Sequence, residues 1–359
     1  MAGLLYREDM DAVRERMTTW YNGGDIGRPV MQIRAPREDA IEDIPEVPVP
    51  QGCTAAGYTT MSYEYRLNRG LRDCLNTWYL GEAVPNTSPD LAPNCLALYL
   101  GCQGAEAEGS VWCEPCIESP ETARFEVDED NFYWQFTLKL ARAFTEAGAG
   151  KWLQQFPDLI EGLDTLAAMR DTQKLLMDLV ERPAWVHECL AKITQLYFVY
   201  YDRLYDLMKD EVGGSYFWSW APGRMAKLQC DFSAMISPEM FGEFMVPVLD
   251  EMTRRLDYSM YHWDGPGAIG HLDHLLSIEH LDIIQWTPGA GEPPTFDKTW
   301  WPLYHRCFEA GKKVDISAAS VDHLAPLKKE FGQNVKNFHI GYSAESPEAG
   351  EQALAFMES

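Results

Sequence analysis

The sequence predicts an α/β fold, a single (β/α)8 TIM barrel, and three observations lead to this prediction. Short apolar runs alternate with longer segments of helical periodicity along most of the chain, which is typical of right-handed β–α–β units. Eight such runs can be counted, the number of strands in a closed parallel barrel. The 359 residues, of which 46% are hydrophobic, suffice for one large domain with a full core.

The elements follow from apolar spacing and from the turn residues between them. The predicted strands cover residues 28–36, 78–84, 152–156, 215–220, 257–264, 281–286, 313–318 and 338–343. The predicted helices cover residues 7–21, 58–76, 132–147, 163–180, 184–208, 301–310, 321–331 and 347–357, with a further helix from residue 238. Residues 1–27 are a predicted N-terminal helical extension and residues 95–126 a small β insertion, within one domain that spans residues 1–359.

The helix from residue 238 and the strand after it organise the predicted site. Ser237-Pro-Glu239 is a helix start, because serine accepts a backbone N–H, proline fits the first turn and glutamate favours the positive helix end. The strand that follows ends with His262 and Asp264, which share a face because side chains on a strand repeat every two residues. Barrels of this kind have their sites at the C-terminal ends of the strands. His262 and Asp264 are therefore the predicted catalytic pair.

Other strand ends supply the predicted substrate contacts. Trp218, Trp220 and Trp286 are predicted to form an aromatic wall, which suits a planar or apolar ligand. The alternative is that these tryptophans pack beneath loops. The remaining predicted contacts are side chains at or near strand ends that can form hydrogen bonds: Arg34, Glu82, Gln229, Gln285 and Tyr342.

Composition and charge exclude several classes of function. The formal net charge is −25, which disfavours nucleic acid as a partner because phosphate binding needs a basic surface. No run of eighteen apolar residues predicts a membrane span, and the N-terminus has no apolar signal core. Nine scattered cysteines indicate reduced thiols and a cytoplasmic protein. Cys113 and Cys116 form a Cys-x-x-Cys pair without a second pair for zinc, so ordinary thiols are expected there.

Three segments together resemble a known family. The run Gln229–Ser233, the Ser237-Pro-Glu239 helix start and the strand that ends His262-x-x-Gly265 are similar to the uroporphyrinogen decarboxylase superfamily. That superfamily includes methyltransferases that move methyl groups to and from corrinoid proteins or thiols. The resemblance implies a methyltransferase that moves a methyl group from a small methoxy or methylamine compound to a corrinoid protein, with a homodimer left open.

The resemblance also implies zinc, and here the sequence departs from the pattern. Methyltransferases of this kind bind zinc through a His-x-Cys at the fifth strand and a cysteine near the eighth. Asp264 stands at the first cysteine position, and the segment Gly341–Ser346 contains no cysteine. A zinc site with His262 and oxygen ligands such as Asp264 stays open. So does an acid–base pair of the same two residues without metal.

Two other functions stay open. The first is decarboxylation of a small or tetrapyrrole-type acid, for which Asp90 stands where the decarboxylases have their catalytic aspartate. That reaction needs a cationic pocket, and Arg34 and Arg37 are the only arginines that follow the pattern of the first strand. The second is a barrel that binds a small ligand without catalysis, since a fold alone does not determine chemistry.

Overall fold

The computed structural model describes residues 3–51, 62–107 and 110–359. Its helices are α1 Met10–Tyr21, α2 Tyr63–Leu75, α3 Cys95–Tyr99, α4 Phe132–Gly148, α5 Gly162–Arg170, α6 Thr172–Glu181, α7 Pro183–Met208, α8 Pro238–Phe244, α9 Val246–Arg255, α10 Leu272–Ser277, α11 Trp301–Glu309, α12 Val321–Phe331 and α13 Pro347–Glu358. Its strands are β1 Val30–Pro36, β2 Thr77–Gly81, β3 Asn86–Thr87, β4 Gln103–Ala107, β5 Ser110–Glu114, β6 Leu153–Gln154, β7 Ser215–Phe217, β8 Ser219–Ala221, β9 Met225–Gln229, β10 Tyr258–Asp264, β11 Ile283–Thr287, β12 Lys313–Ala318 and β13 Phe338–Ser343.

A seven-stranded, mostly parallel sheet organises this α/β fold, with the order β2-β1-β13-β12-β11-β10-β9. The strands from β9 to β13 and β1 pair in parallel, joined by helices that cross over between neighbours. The C-terminal ends of six strands therefore meet at one edge of the sheet. None of the described helices has the length and apolarity to cross a membrane.

The direction of β2 in the sheet differs from the prediction. A parallel strand was expected at residues 78–84, but β2 is antiparallel to β1, with Thr77 opposite Pro36 and Gly81 opposite Gln32. The reason is that α2 delivers the chain to the C-terminal end of β1 rather than to its start. Sequence periodicity alone does not indicate whether a strand pairs in a parallel or an antiparallel direction.

The predicted strand 215–220 is divided at Trp218, whose φ is 55°. This left-handed backbone turns the chain, so that β8 returns antiparallel to β7. The strand that pairs in parallel with β10 is β9, which comes after this turn. None of the predicted strands covers residues 225–229, and all five of these residues are buried.

Parallel pairing also occurs outside the seven-stranded sheet. The short strand β3 pairs in parallel with β6, and Gln155 forms a parallel bridge with Tyr216 of β7. The helix α1 packs Met10, Val13 and Met17 into the core. Residues 95–126 contain α3 and the antiparallel pair β4–β5.

Candidate functional site

Three side chains that can bind a metal converge at the C-terminal end of β10. His262 and Asp264 lie on β10, and Asp231 follows the end of β9. The register pairs His262 with Gln229, so Asp231 lies beside Asp264. Ligand atoms of Asp231, His262 and Asp264 all lie within 4.8 Å of one another. The two predicted residues thus share a site, joined by a carboxylate from the neighbouring strand end.

The ring of His262 is held by the next strand. Nδ1 of His262 contacts Oε1 of Gln285 on β11, and Nε2 of Gln285 donates to Oγ1 of Thr287 at 2.9 Å. A Gln285 carbonyl in this orientation makes Nδ1 the donor and leaves Nε2 of His262 available as a ligand. Trp218 packs edge-on against the ring, with centroids 5.7 Å apart. Burial and the charge of Lys227 lower the pKa of His262, which favours the neutral form that metals bind.

Two carboxylates surround Asp231. Loss of hydration and the charges of Asp164 and Asp264 raise the pKa of Asp231 to about 7. Asp164, in the first turn of α5, accepts the backbone N–H groups of Asp231 and Phe232 at 2.9 Å each. Asp164 therefore fixes the backbone that presents Asp231. Mutually repelling carboxylates at one place are typical of a cation site.

Polar side chains of β9 support this arrangement from below. Lys227, with 1% of its side chain exposed, forms an ion pair with Asp158 at 2.6 Å. Nε2 of Gln229 donates to Oδ2 of Asp231 at 3.0 Å and to Oδ2 of Asp164 at 3.1 Å. The predicted contact residue Gln229 thus orients the carboxylate of Asp231.

The donor set fits a borderline or hard divalent cation. One imidazole nitrogen and two carboxylates suit zinc, iron or manganese, which accept nitrogen and oxygen ligands. No thiolate belongs to this group among the described residues. Cys230, the neighbour of Asp231, is buried, and its burial raises the pKa of its thiol well above the usual value. This outcome agrees with the oxygen-ligand alternative rather than with a thiolate site.

A cavity of about 730 Å³ lies next to the ring of His262, although none of the three ligands is among the residues that line it. Gln285 and Trp218 both contact His262 and both line this cavity. Residues that line it and bear on its chemistry include Gln32, Arg34, Arg66, Arg69, Asp90, Tyr216, Trp218, Gln285, Asp315 and His339. A cavity of this size holds a small organic molecule.

Arg34 is the cation of this cavity with the clearest role. Its Nη2 donates to the hydroxyl of Tyr216 at 2.9 Å and to Oε1 of Gln32 at 3.1 Å. Both of these hydrogen-bond partners of Arg34 among the described residues are uncharged. His339 binds Gln32 at 3.0 Å through Nε2 and contacts Asp315 through Nδ1. The guanidinium of Arg34 is thus positioned by neutral groups and suits an anionic part of a ligand.

Two of the predicted tryptophans lie elsewhere. Trp220 is buried, and its Nε1 donates to Oδ2 of Asp210 at 2.9 Å, away from the cavity. Trp286 is fully buried, and its ring packs 4.5 Å from Trp263 and 5.0 Å from Trp300, measured between centroids. Of the predicted aromatic wall, Trp218 alone lines the cavity.

Glu82 and Tyr342 also do not line this cavity. Glu82 is fully buried in ion pairs with Arg28 at 2.8 Å and Arg16 at 2.7 Å, which link β2 to α1 and β1. Tyr342 follows Gly341 on β13, and Gly341 lines the cavity. Consecutive residues on a strand point to opposite faces, so Tyr342 faces away.

The sequence reasoning missed several residues of the site. Neither Asp231 nor Asp164, which lies in the first turn of α5, is among the site residues predicted from the sequence. The signal for Asp231 was the run Gln229–Ser233, which carries the family resemblance.

No protein-family model matches the chain, and a search of curated proteins found no match to it.

Proposed function

We propose that the chain is a metal-dependent methyltransferase of the uroporphyrinogen decarboxylase superfamily, which moves a methyl group from a small methoxy or methylamine compound to a corrinoid protein. The observation that carries this proposal is the convergence of Asp231, His262 and Asp264, with a cavity of about 730 Å³ lined by the two neighbours of the His262 ring, Gln285 and Trp218. The spacing of the motifs in residues 229–265 supports the same family.

Each residue has a role in this reaction. Asp231, Asp264 and Nε2 of His262 would hold zinc or a similar cation. Bound there, the metal would act as a Lewis acid on the oxygen or nitrogen that loses the methyl group. Arg34 would bind an anionic substituent of the substrate, and Trp218 would cover the methyl donor beside His262. The bond from the methyl carbon to this atom would break with its electron pair left on that atom, and the cob(I) form of the corrinoid would supply the electron pair that binds the methyl group.

We further propose that the sheet closes into a (β/α)8 barrel through β3, β6 and β7. Support comes from the parallel pairs between these segments and from two contacts that cross from β1 to the residues near β7. Nε2 of Gln32 donates to the carbonyl of Trp218 at 2.7 Å, and Arg34 donates to Tyr216. A crystal structure in which β1 and β7 lie on separate open sheets would contradict this closure.

The experiment combines metal binding with methyl transfer. Chelator-treated protein is titrated with zinc, iron(II) and manganese(II), and bound metal is measured by elemental analysis. A panel of methoxyarenes and methylamines is then offered with cob(I)alamin, and methylcobalamin is followed by its absorbance. We expect one bound metal and transfer from at least one donor, with both lost in His262→Ala and Asp264→Asn.

The matched control is His280→Ala, because His280 is an exposed histidine away from the site. It should bind metal and transfer methyl groups as the parent does. A protein that binds no metal while turning over a substrate would contradict the metal site and leave an acid–base pair. Bound metal without transfer from any donor would contradict the methyltransferase.

Decarboxylation is the second candidate function, because more arginines line the cavity than the sequence predicts at the strand ends. Arg34, Arg66 and Arg69 all line it, and so does Asp90, whose pKa is raised by burial and by Asp158. Release of carbon dioxide from an aromatic or tetrapyrrole polyacid, lost in Asp90→Asn and retained in His262→Ala, would favour this function.

A further inference from the structure

Three cysteines converge far along the chain from the proposed metal ligands. Cys102 precedes β4, and Cys113 and Cys116 lie at and after the end of β5. The sulfur of Cys102 lies 3.6 Å from that of Cys116, to which it donates a hydrogen bond, and the Cys102 thiol also lowers the pKa of Cys113. Cys102 therefore contacts Cys116 and influences both members of the Cys-x-x-Cys pair.

The three thiols differ in their access to solvent. Cys116 is exposed, Cys113 is half-buried and Cys102 is fully buried. A reagent in solution thus meets Cys116 first, with Cys102 directly behind it. This arrangement of an accessible thiol and a close resolving thiol is typical of cysteines that oxidise reversibly.

We propose that Cys102 and Cys116 form a reversible disulfide when the protein meets a low-molecular-weight disulfide, with Cys113 as the residue that accepts the proton of Cys102. Cys116 as thiolate attacks one sulfur of the reagent, whose own S–S bond breaks and releases one thiol. Cys102 passes its proton to Cys113 and attacks the sulfur of Cys116, which releases the second thiol. Two protein thiols and one disulfide thereby become one protein disulfide and two thiols.

Electrostatics agree with these roles. The thiol of Cys102 lowers the pKa of Cys116 and of Cys113 below the usual value, which increases the thiolate fraction of both. The hydrogen bonds to Cys113 and Cys116, followed by burial, raise the pKa of Cys102 strongly, so it needs a proton acceptor before it can attack.

A metal site explains the cluster less well than a disulfide does. Tetrahedral binding of zinc by three thiolates brings every sulfur pair to roughly 4 Å, given Zn–S bonds of about 2.3 Å. Among the described residues, the three sulfurs are not all within 4.8 Å of one another. A pairwise contact through Cys102 serves disulfide formation, which needs only two sulfurs at a time.

The bond would lock a defined part of the fold. Backbone N–H groups of Cys116 and Ile117 donate to the carbonyl of Met169 at 2.9 and 2.8 Å, near the end of α5. Cys102 lies at the same end of the β4–β5 pair, with its sulfur 3.6 Å from the carbonyl oxygen of Ala168 in α5. The disulfide therefore closes the base of this pair of strands against α5.

The test uses the full-length protein with oxidised glutathione. Intact-mass spectrometry and a thiol titration follow the reaction, and a non-reduced peptide map identifies the bridge. We expect the loss of two thiols and of the mass of two hydrogen atoms, a Cys102–Cys116 bridged peptide, and full reversal by dithiothreitol. Cys116→Ala should form no bridge, and Cys113→Ala should form the same bridge more slowly at neutral pH, with the difference shrinking at alkaline pH.

Cys307→Ala is the matched control, because Cys307 is a buried cysteine of α11. It should form the bridge at the parental rate. An unchanged thiol count in the parent, or a bridge that omits Cys102 or Cys116, would overturn the proposal. Because Cys116 is exposed, its variant tests the proposal even if Cys102→Ala does not fold.

Discussion

Glu82→Gln should strongly destabilise the protein, although it keeps the volume of the side chain. The carboxylate of Glu82 is fully buried and accepts two hydrogen bonds from Arg28 at 2.8 Å, one from Arg16 at 2.7 Å and one from the N–H of Met31 at 2.9 Å. Arg28 itself has 5% of its side chain exposed. Removing the charge of Glu82 leaves a buried guanidinium without its main partner, which costs about 3–5 kcal/mol.

The loss of stability in Glu82→Gln should depend on pH. Burial alone would raise the pKa of Glu82, but the hydrogen bonds and charge of Arg28 reverse this and lower it below 4.5. A carboxylate with a lowered folded-state pKa stabilises the protein above its unfolded-state pKa, and this contribution disappears as the pH falls through the folded-state pKa. The difference between parent and variant should therefore be full at pH 7 and shrink in acid.

Urea unfolding at several pH values measures this difference. Glu129→Gln is the control, since Glu129 pairs with Arg203 at 2.6 Å on the surface and should change stability by about 1 kcal/mol or less. A free energy of unfolding for Glu82→Gln within about 1 kcal/mol of the parent at neutral pH would refute the reasoning. A weakened substrate affinity with unchanged stability would indicate that Glu82 contacts the substrate, as the sequence predicts.

Two further substitutions test the site and its boundary. Gln285→Leu removes the acceptor that orients His262, so metal affinity should fall by about 10–100-fold in a competition titration with a chelator. Gln333→Leu, at an exposed glutamine, should leave it unchanged. Trp286→Ala should lower the free energy of unfolding by about 3–5 kcal/mol because it opens a cavity between Trp263 and Trp300. A loss of metal affinity in the folded Trp286 variant would contradict its placement outside the cavity.

Much of the regular structure could be predicted from spacing. The helix predicted at residues 184–208 is α7, Pro183–Met208, and the strands predicted at residues 313–318 and 338–343 are β12 and β13. These segments have one period throughout and clear turn residues at their ends. The mostly parallel sheet follows from the same alternation of strands and helices.

The errors have physical causes that spacing does not reveal. The missed strand at residues 225–229 contains the polar residues Lys227 and Gln229, yet both are buried, and Lys227 pairs with Asp158. Trp218 is bulky and has a left-handed backbone, which nothing in its sequence context indicates. Gln285 and Trp286 were both assigned to the cavity, although adjacent residues on a strand face opposite ways.

The charges at the site favour a bound cation over a bare acid–base pair. Lys227 is already paired with Asp158, and among the described residues neither Asp231 nor Asp264 forms an ion pair. Two like charges within 4.8 Å repel by on the order of 3 kcal/mol at an effective dielectric constant of about 20, an upper bound because Asp231 is partly solvated. Without a cation, burial and this repulsion raise the pKa of Asp231 to about 7, so that a proton on Asp231 relieves the repulsion only at lower pH. A divalent cation would relieve it at every carboxylate at once and would also use Nε2 of His262, so a metal site would account for all three side chains.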